Sequence, residues 1–435
     1  MKSVWRNTPD AFCIHINDCD YRGLHMADTG QLRIQVVSRI NNRPIDNAKV
    51  NITYTGGPGN ILESLETNSA GNTDEVTLDT PPLEYSMEPS ENQPYSEYSF
   101  QVQAEGFEPV LIAGAELLPT ITALQRIRMN PILQEGAFQD YVIPAHTLFE
   151  EYPPKIPEAE IKPMPETGEI VLPRVVVPEY VVVHDGVPSD SSAQNYYVTF
   201  KDYVKNVASS EIYATWPEET IKANVLAIMS FTMNRVYTEW YRNKGYDFTI
   251  TSSTAYDHKW IPERNIYDTI DVIVDELFSS YLSRPNVRQP ILTQYCDGKR
   301  VSCPNWMSQW GSKYLGDQNY RAIEIIRYYY GEDMYINTAE SVSGVPISWP
   351  GENLDIGSRG EAVRQIQEQL NVISDVYSAI PEIDLVDGIY GEETQDAVRQ
   401  FQSVFGLPQT GIVNYRTWYK IQEIYVGVTR IAELV

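Results

Sequence analysis

The sequence predicts a multidomain fold: a small β-sandwich, then an α+β, α-rich middle domain, then a three-helix C-terminal domain. Three observations lead there. A length of 435 residues is a prior for about three domains. The hydrophobic period changes from about two over 31–112 to helical spacing after 197. A proline-rich stretch separates the two regimes. With 42% hydrophobic residues, each part has enough apolar surface for a core of its own.

Residues 1–28 are polar and irregular. The opening MKSVWRNTPDAFCIHINDCD lacks an apolar h-region, so the reading expects no signal peptide. Residues 29–130 carry short alternating runs, LRIQVV (32–37), VNITYT (50–55), EVTL (75–78) and YSFQVQAEGFEPVLI (98–112), broken by the turns GGPGN and TNSAGN. Pro44-Ile45 before Ala48-Lys49-Val50, then Ala70-Gly71 and Ala104-Glu105-Gly106-Phe107, resemble the carboxypeptidase-regulatory or transthyretin-like sandwiches. Residues 131–189 read as a linker. Pro153, Pro154, Pro157, Pro163, Pro165, Pro173, Pro178 and Pro188 exclude a continuous helix or central strand. That segment is expected to be extended, exposed and unpaired.

The middle domain is placed at 190–345. One helix starts at Phe200. A second is opened by Thr215-Trp216-Pro217-Glu218, with Thr215 as N-cap and Glu218 at N3, and runs to about Arg242. Further helices are expected over 265–282 and from Asp317 to Tyr330-Gly331. The C-terminal domain spans 350–427. Its Val363-Arg364-Gln365-Ile366-Gln367 recurs thirty-five positions later as Val398-Arg399-Gln400-Phe401-Gln402. Val363, Ile366 and Leu370 share one helix face, as do Ala397, Phe401 and Val404. Asp387-Gly388-Ile389-Tyr390-Gly391 makes the turn between them, and Asn414 caps a third helix carrying Trp418.

Net charge is −26, which excludes the basic faces of nucleic-acid binders and disfavours anionic membrane surfaces. No run approaches 18 apolar residues, so no membrane span is predicted. A glycan is easier to reconcile with that charge.

The order G-x-x-G-x-x-V-x-x-I-Q (357–367), D-G-x-Y-G, A-V-x-x-F-Q and G-x-x-x-x-x-T-W resembles the three-helix peptidoglycan-binding family. The resemblance implies a ligand groove near Asp387, Gly388, Tyr390 and Gly391. The long loop 372–383 departs from the family pattern.

In the middle domain, Val207-Ala208-Ser209-Ser210-Glu211-Ile212 with Trp216-Pro217-Glu218-Glu219, and Met307-Ser308-Gln309-Trp310-Gly311-Ser312 with Arg327-Tyr328-Tyr329-Tyr330-Gly331, resemble the stage II sporulation protein D family. That implies a lytic transglycosylase cutting the MurNAc–GlcNAc bond, with Glu211 as its essential glutamate. The residues support this separately. A carboxyl between two helices, one of them buried, is expected to be partly buried, and burial favours the protonated form a general acid needs. Ordinary glycosidases use two carboxylates. A lytic transglycosylase needs one, because the sugar's C6 hydroxyl replaces water. Tyr295, Gln309 and Trp310 are candidates for holding substrate.

The whole order resembles the clostridial-type spore cortex-lytic enzymes. It implies an extracytoplasmic protein acting on cortex glycan strands at germination, stored as a zymogen and cut by an activating protease. The cut is placed in Thr167-Gly168-Glu169-Ile170-Val171-Leu172, within an exposed stretch of the linker.

Two alternatives stay open. An N-acetylmuramoyl-L-alanine amidase would need zinc ligands or a Cys–His pair. Of the five histidines only His258 lies in the middle domain; with Cys296 and Cys303 it could form a three-ligand zinc site, or the two cysteines could pair as a disulfide, but no cofactor or metal is assigned and they read first as thiols. His258 also departs from the relatives' Asp-x-x-His-Cys pattern, having Lys259 in place of the cysteine. A non-catalytic wall-binding protein is the other alternative.

Overall fold

The computed structural model describes residues 28–132, 138–163, 174–339, 341–343 and 349–429. The N-terminal segment 1–27 and the cleavage stretch 167–172 lie outside them. The chain is a multidomain mixed α/β protein.

The first part is β1 (Asp28–Ser38), β2 (Lys49–Tyr54), β3 (Ile61–Glu66), β4 (Val76–Thr80), the one-turn helix α1 (Glu84–Met87), β5 (Ser96–Gln103), β6 (Val110–Leu117), β7 (Thr122–Met129) and β8 (Gln139–Val142). One sheet has the order β3-β2-β5-β6-β8. The other runs β4-β1-β7, and Ile266–Tyr267 from the middle of the chain adds a fourth strand beside β7. Strict alternation on β7 sends Ala123, Ile127 and Met129 inward, and Leu32, Ile34 and Val36 of β1 join them at zero exposure. Each such large side chain contributes about 1.5–3 kcal/mol through burial.

One helix starts where expected, at Phe200, and two need correction. In α2 (Phe200–Glu211) Thr199 is the N-cap, its hydroxyl accepting from Asp202 N at 3.2 Å. Helix α3 (Glu218–Tyr237) starts two residues later than predicted, with Pro217 as N-cap, and ends before the expected Arg242. Thr215 instead donates to Ser86 Oγ at 2.8 Å, because α1 packs there. Helix α4 is only Asp268–Leu277. Residues 266–267 pair with β7 and Ser280–Ser283 pairs with Tyr335–Thr338, so strand pairing trims both ends. Helices α5 (Gln309–Asp317) and α6 (Ala322–Tyr330) complete the middle part.

The C-terminal part has α7 (Glu361–Ser374), α8 (Glu392–Val404) and α9 (Tyr415–Thr429). The sequence repeat has a structural cause. Gln367 is 1% exposed; its amide donates to Ile389 O and Thr394 Oγ1 and accepts from Gly388 N. Gln402, fully buried, makes the same set with Ile412 O, Thr417 Oγ1 and Gly411 N. Each glutamine satisfies one turn that would otherwise bury unpaired backbone groups.

The proline-rich segment is not free. Residues 143–163 run along the middle part, hydrogen-bonded at many points, and Lys162 is 4% exposed. The linker expectation therefore fails for this half of the segment. The side chains that proline spacing leaves available find partners on the neighbouring surface.

Candidate active site

Glu211 ends α2 and is 5% exposed, not a solvated helix-end residue. The chain turns extended at Ile212, which aims the carboxylate back across the helix end. Its Oε1 accepts from Lys259 N at 2.8 Å. Its Oε2 accepts from Gln309 Nε2 at 3.3 Å and from Thr147 Oγ1 at 3.4 Å. The Gln309 amide also donates to Glu211 O at 2.8 Å, so one side chain fixes both backbone and carboxylate.

The Met-Ser-Gln-Trp-Gly block is legible residue by residue. Met307 is core, at zero exposure. Ser308 caps α5, accepting from Gly311 N at 2.9 Å. Gln309 reaches Glu211. Trp310 packs on Trp216 with ring centroids 5.0 Å apart and is 7% exposed, which makes it a wall of the core rather than a free sugar platform. Gly311 lies against Tyr329, whose hydroxyl would stand 2.1 Å from any Cβ there.

Tyr295 is 3% exposed and lies within electrostatic reach of Glu211, but its hydroxyl makes no hydrogen bond of normal geometry. Burial, reinforced by Glu211, pushes that phenol well above its ordinary value. His258 stacks on Tyr295 at 5.7 Å and meets Tyr203 Oη through Nδ1 at 3.1 Å. Burial first, then Lys155 and Arg235, push its imidazole well below the usual value, so it stays neutral. Cys296 and Cys303 form a disulfide, which corrects the reading of them as thiols. Both sulfurs are consumed, so neither makes a nucleophile with His258 or supplies a thiolate to a metal. A disulfide suits an oxidising compartment.

Sequence reasoning missed the groups delivered by 143–163. Besides Thr147 Oγ1, Thr147 N donates to Ser210 O at 3.3 Å. Lys155 sits over the Tyr295 ring at 5.1 Å and donates to the carbonyls of Thr254 and Asp257. Burial lowers its ammonium pKa, with Glu211 and Asp257 pulling the other way. Ile156 N donates to Ala255 O at 2.7 Å, and Gln294 clamps Glu158 N and Ile156 O. Glu158 accepts from Arg235 at 2.5 and 3.1 Å and from Lys162 at 2.5 Å. Nothing in the local sequence signals this strap, since its contacts to the middle part span some sixty to one hundred forty positions.

Asp257 was also missed. Its oxygens accept from Arg235 Nε (2.7 Å), Tyr241 Oη (2.7 Å), Thr251 N (2.9 Å) and Thr251 Oγ1 (2.7 Å). That anchor holds the loop whose Lys259 N–H reaches Glu211. The Asp-His pair at 257–258 was the only available signal.

In the C-terminal part, Asp387 Oδ1 accepts from Ile389 N at 2.8 Å, Gly388 takes φ +75° beside Gly360 O, and Gly391 is the N-cap of α8. Tyr390 points inward: it is 1% exposed and donates to Gly411 O at 3.0 Å. It supports the turn and presents no face to a ligand, which corrects its place among the groove residues.

Residues 359–421 match the peptidoglycan binding domain family. Residues 190–276, which include Glu211, match the stage II sporulation protein family. The zinc D-Ala-D-Ala carboxypeptidase of Streptomyces albus G is 36% identical over 77 residues, 18% of this chain, and the chain spans only 28% of that relative. Solved structures with partial likeness include the Bacillus anthracis TIE protein (13% identity, 24% of this chain and 17% of that one, TM-score 0.18). A minor pilin of Streptococcus agalactiae follows (12%, 26% and 48%, 0.18). So does the 5-hydroxyisourate hydrolase of Klebsiella pneumoniae (14%, 23% and 86%, 0.16). Scores this low carry no argument. The two family matches support the class of a sporulation cell-wall-associated protein. The second match ties residues 190–276 to sporulation. No helix among the described residues is long and apolar enough to cross a membrane.

Proposed function

We propose that this chain is a peptidoglycan lytic transglycosylase of the spore cortex, stored as a zymogen. The observation that carries the reading is a single buried carboxylate with its hydrogen-bond partners in place. Glu211 is held by Lys259 N–H and the Gln309 amide; of the other carboxylates in electrostatic reach of its neighbours, Asp257 has both oxygens engaged, Glu158 is tied to Arg235 and Lys162, and Asp185 accepts from Ser252. One working carboxyl suits chemistry in which the sugar supplies its own nucleophile. Glu211 gives its proton to the glycosidic oxygen between MurNAc and GlcNAc as that bond breaks. The MurNAc C6 hydroxyl then adds to the anomeric carbon, and Glu211 takes the hydroxyl proton, leaving an anhydro ring. Gln309 orients the carboxyl, and the Tyr295 hydroxyl beside Glu211 is placed to hold the sugar.

Latency follows from the strap. Thr147 Oγ1, which donates to Ser210 O at 2.8 Å, lies 3.4 Å from Glu211 Oε2 and Lys155 lies over the Tyr295 ring, so residues 146–162 cover the approach to Glu211. A protease cutting at 167–172 separates the strap from the chain that follows. The test is mass spectrometry of purified cortex digested by wild type, cut near Val171, beside Glu211→Gln. Anhydro-muramyl ends from wild type alone are expected. Free reducing ends, released peptides, or an active Glu211→Gln protein overturn the assignment.

A further inference from the structure

A cavity of about 810 Å³ lies away from Glu211, where the outer face of the β1–β7 pair meets α2, α9 and the turn at 404–406. Alternation along the strands builds its floor. With Leu32, Ile34 and Ile127 turned inward, Arg33 and Gln35 of β1 and Arg126 and Arg128 of β7 turn outward. The parallel register sets Gln35 beside Arg126 and Val37 beside Arg128. Arg39 follows at the end of β1.

The charge on these walls runs against the chain. They carry eight lysines and arginines against five carboxylates, in a protein of net charge −26. The lysines are consumed: Lys201 and Lys205 bond Asp275, Asp271 and Glu423, and Lys420 bonds Glu423. Arg39 pairs with Glu263 at 3.1 Å, and Arg128 reaches Asp202 only at 3.6 Å. Among the described residues, Arg33 and Arg126 have no carboxylate within ion-pair distance, and Arg126 Nε is buried without an acceptor. Burial, then the neighbouring Arg126, lowers the Arg128 guanidinium. Crowded guanidinium groups left unpaired are unfavourable. They are also the groups that take carboxylate or phosphoryl oxygens two at a time.

We propose that this cavity binds an oxyanion carrying two or more carboxylate or phosphoryl groups, with Arg33 and Arg126 as its principal partners. The volume is that of a small-molecule site. Such an anion has two sources, a free small polyanion or the carboxylates on a peptidoglycan peptide stem. Because the walls come from the sandwich strands, α2 and the C-terminal helices, the occupant also ties these parts together.

The test is calorimetric titration of the full chain with citrate, with pyrophosphate and with a purified disaccharide-tetrapeptide, all at one ionic strength. Saturable binding of at least one of them is expected. It should weaken at least about tenfold in Arg33→Gln/Arg126→Gln, the loss of two charge-assisted contacts. Binding of citrate or pyrophosphate alone identifies a free anion; binding of the muropeptide identifies the stem. Should the double variant misfold, Arg126→Gln alone carries the comparison. No saturable binding of any of the three, or equal affinity in a folded variant, overturns the proposal. Glu211→Gln should bind these probes like wild type, so the result is read apart from the lytic reading.

Discussion

Replacing Glu158 by alanine should release the strap without any proteolysis. Glu158 accepts from both terminal guanidinium nitrogens of Arg235, at 2.5 and 3.1 Å, and Arg235 has a fully buried side chain. Removing one partner of a buried pair costs about 3–5 kcal/mol. Arg235 keeps Asp257 Oδ1 and Tyr256 O, and Glu158 is 14% exposed, so the low end applies. About 3 kcal/mol is on the order of a 100-fold change in the ratio of docked to released strap. The neighbouring Glu160–Arg284 pair is more open, at 35% and 20% exposure, and is worth about 0–1 kcal/mol. Uncut Glu158→Ala protein should therefore clear a cortex suspension faster than uncut wild type, by up to that factor. Glu158→Ala/Glu211→Gln should stay inert. Hydrogen exchange over 146–162 reports release independently. If exchange there accelerates while the uncut protein stays as slow as wild type, the strap is not what blocks Glu211.

Gln309→Leu keeps the shape and removes the donor to Glu211, so kcat should fall roughly 10–100-fold with KM held, as for loss of a hydrogen bond to a charged group; an unchanged kcat refutes its orienting role. Reducing the Cys296–Cys303 disulfide should lower Tm, since closing so short a loop is worth about 2.5 kcal/mol; calorimetry with and without reductant reads it, and identical Tm values argue against the bond. Asp275 is buried, which alone would raise its carboxyl, but Lys201, Lys205, Lys420 and Arg416 outweigh burial and hold it well below the ordinary range. A carboxyl depressed in the folded state stabilises above its unfolded value of about 4, and that stability is lost as pH falls further. Docking of α9 on α4 should thus loosen only below about pH 4, and Asp275→Asn should flatten that dependence; loosening near neutral pH in hydrogen exchange over 415–429 would count against it. Deleting residues from 350 onward should weaken wall retention by removing a tether. It should also lower stability, because Arg416 leaves Asp271 and Asp275; a pull-down with unchanged retention would dismiss the wall-binding role.

What the sequence determined by itself is what depends on near neighbours. Period-two runs mark β1, β2 and β5 because successive side chains face opposite sides of a strand. The thirty-five-residue repeat marks α7 and α8 because one glutamine per copy must satisfy one turn. Met-Ser-Gln-Trp-Gly stands out as a block because cap, site contact, core ring and close approach fall on consecutive positions, although no helix was expected where α5 forms. Local rules fail where a distant partner offers more. Thr215 gives up its cap for Ser86, and 266–267 leave the predicted helix to pair with β7. Only the tertiary structure decided that a proline-rich stretch would lie over Glu211, and that arginines on β1 and β7 would face one cavity. Prolines forbid regular structure in the strap but say nothing about which surface it covers. Alternation turns those arginines outward, yet only packing against α2 and α9 encloses them.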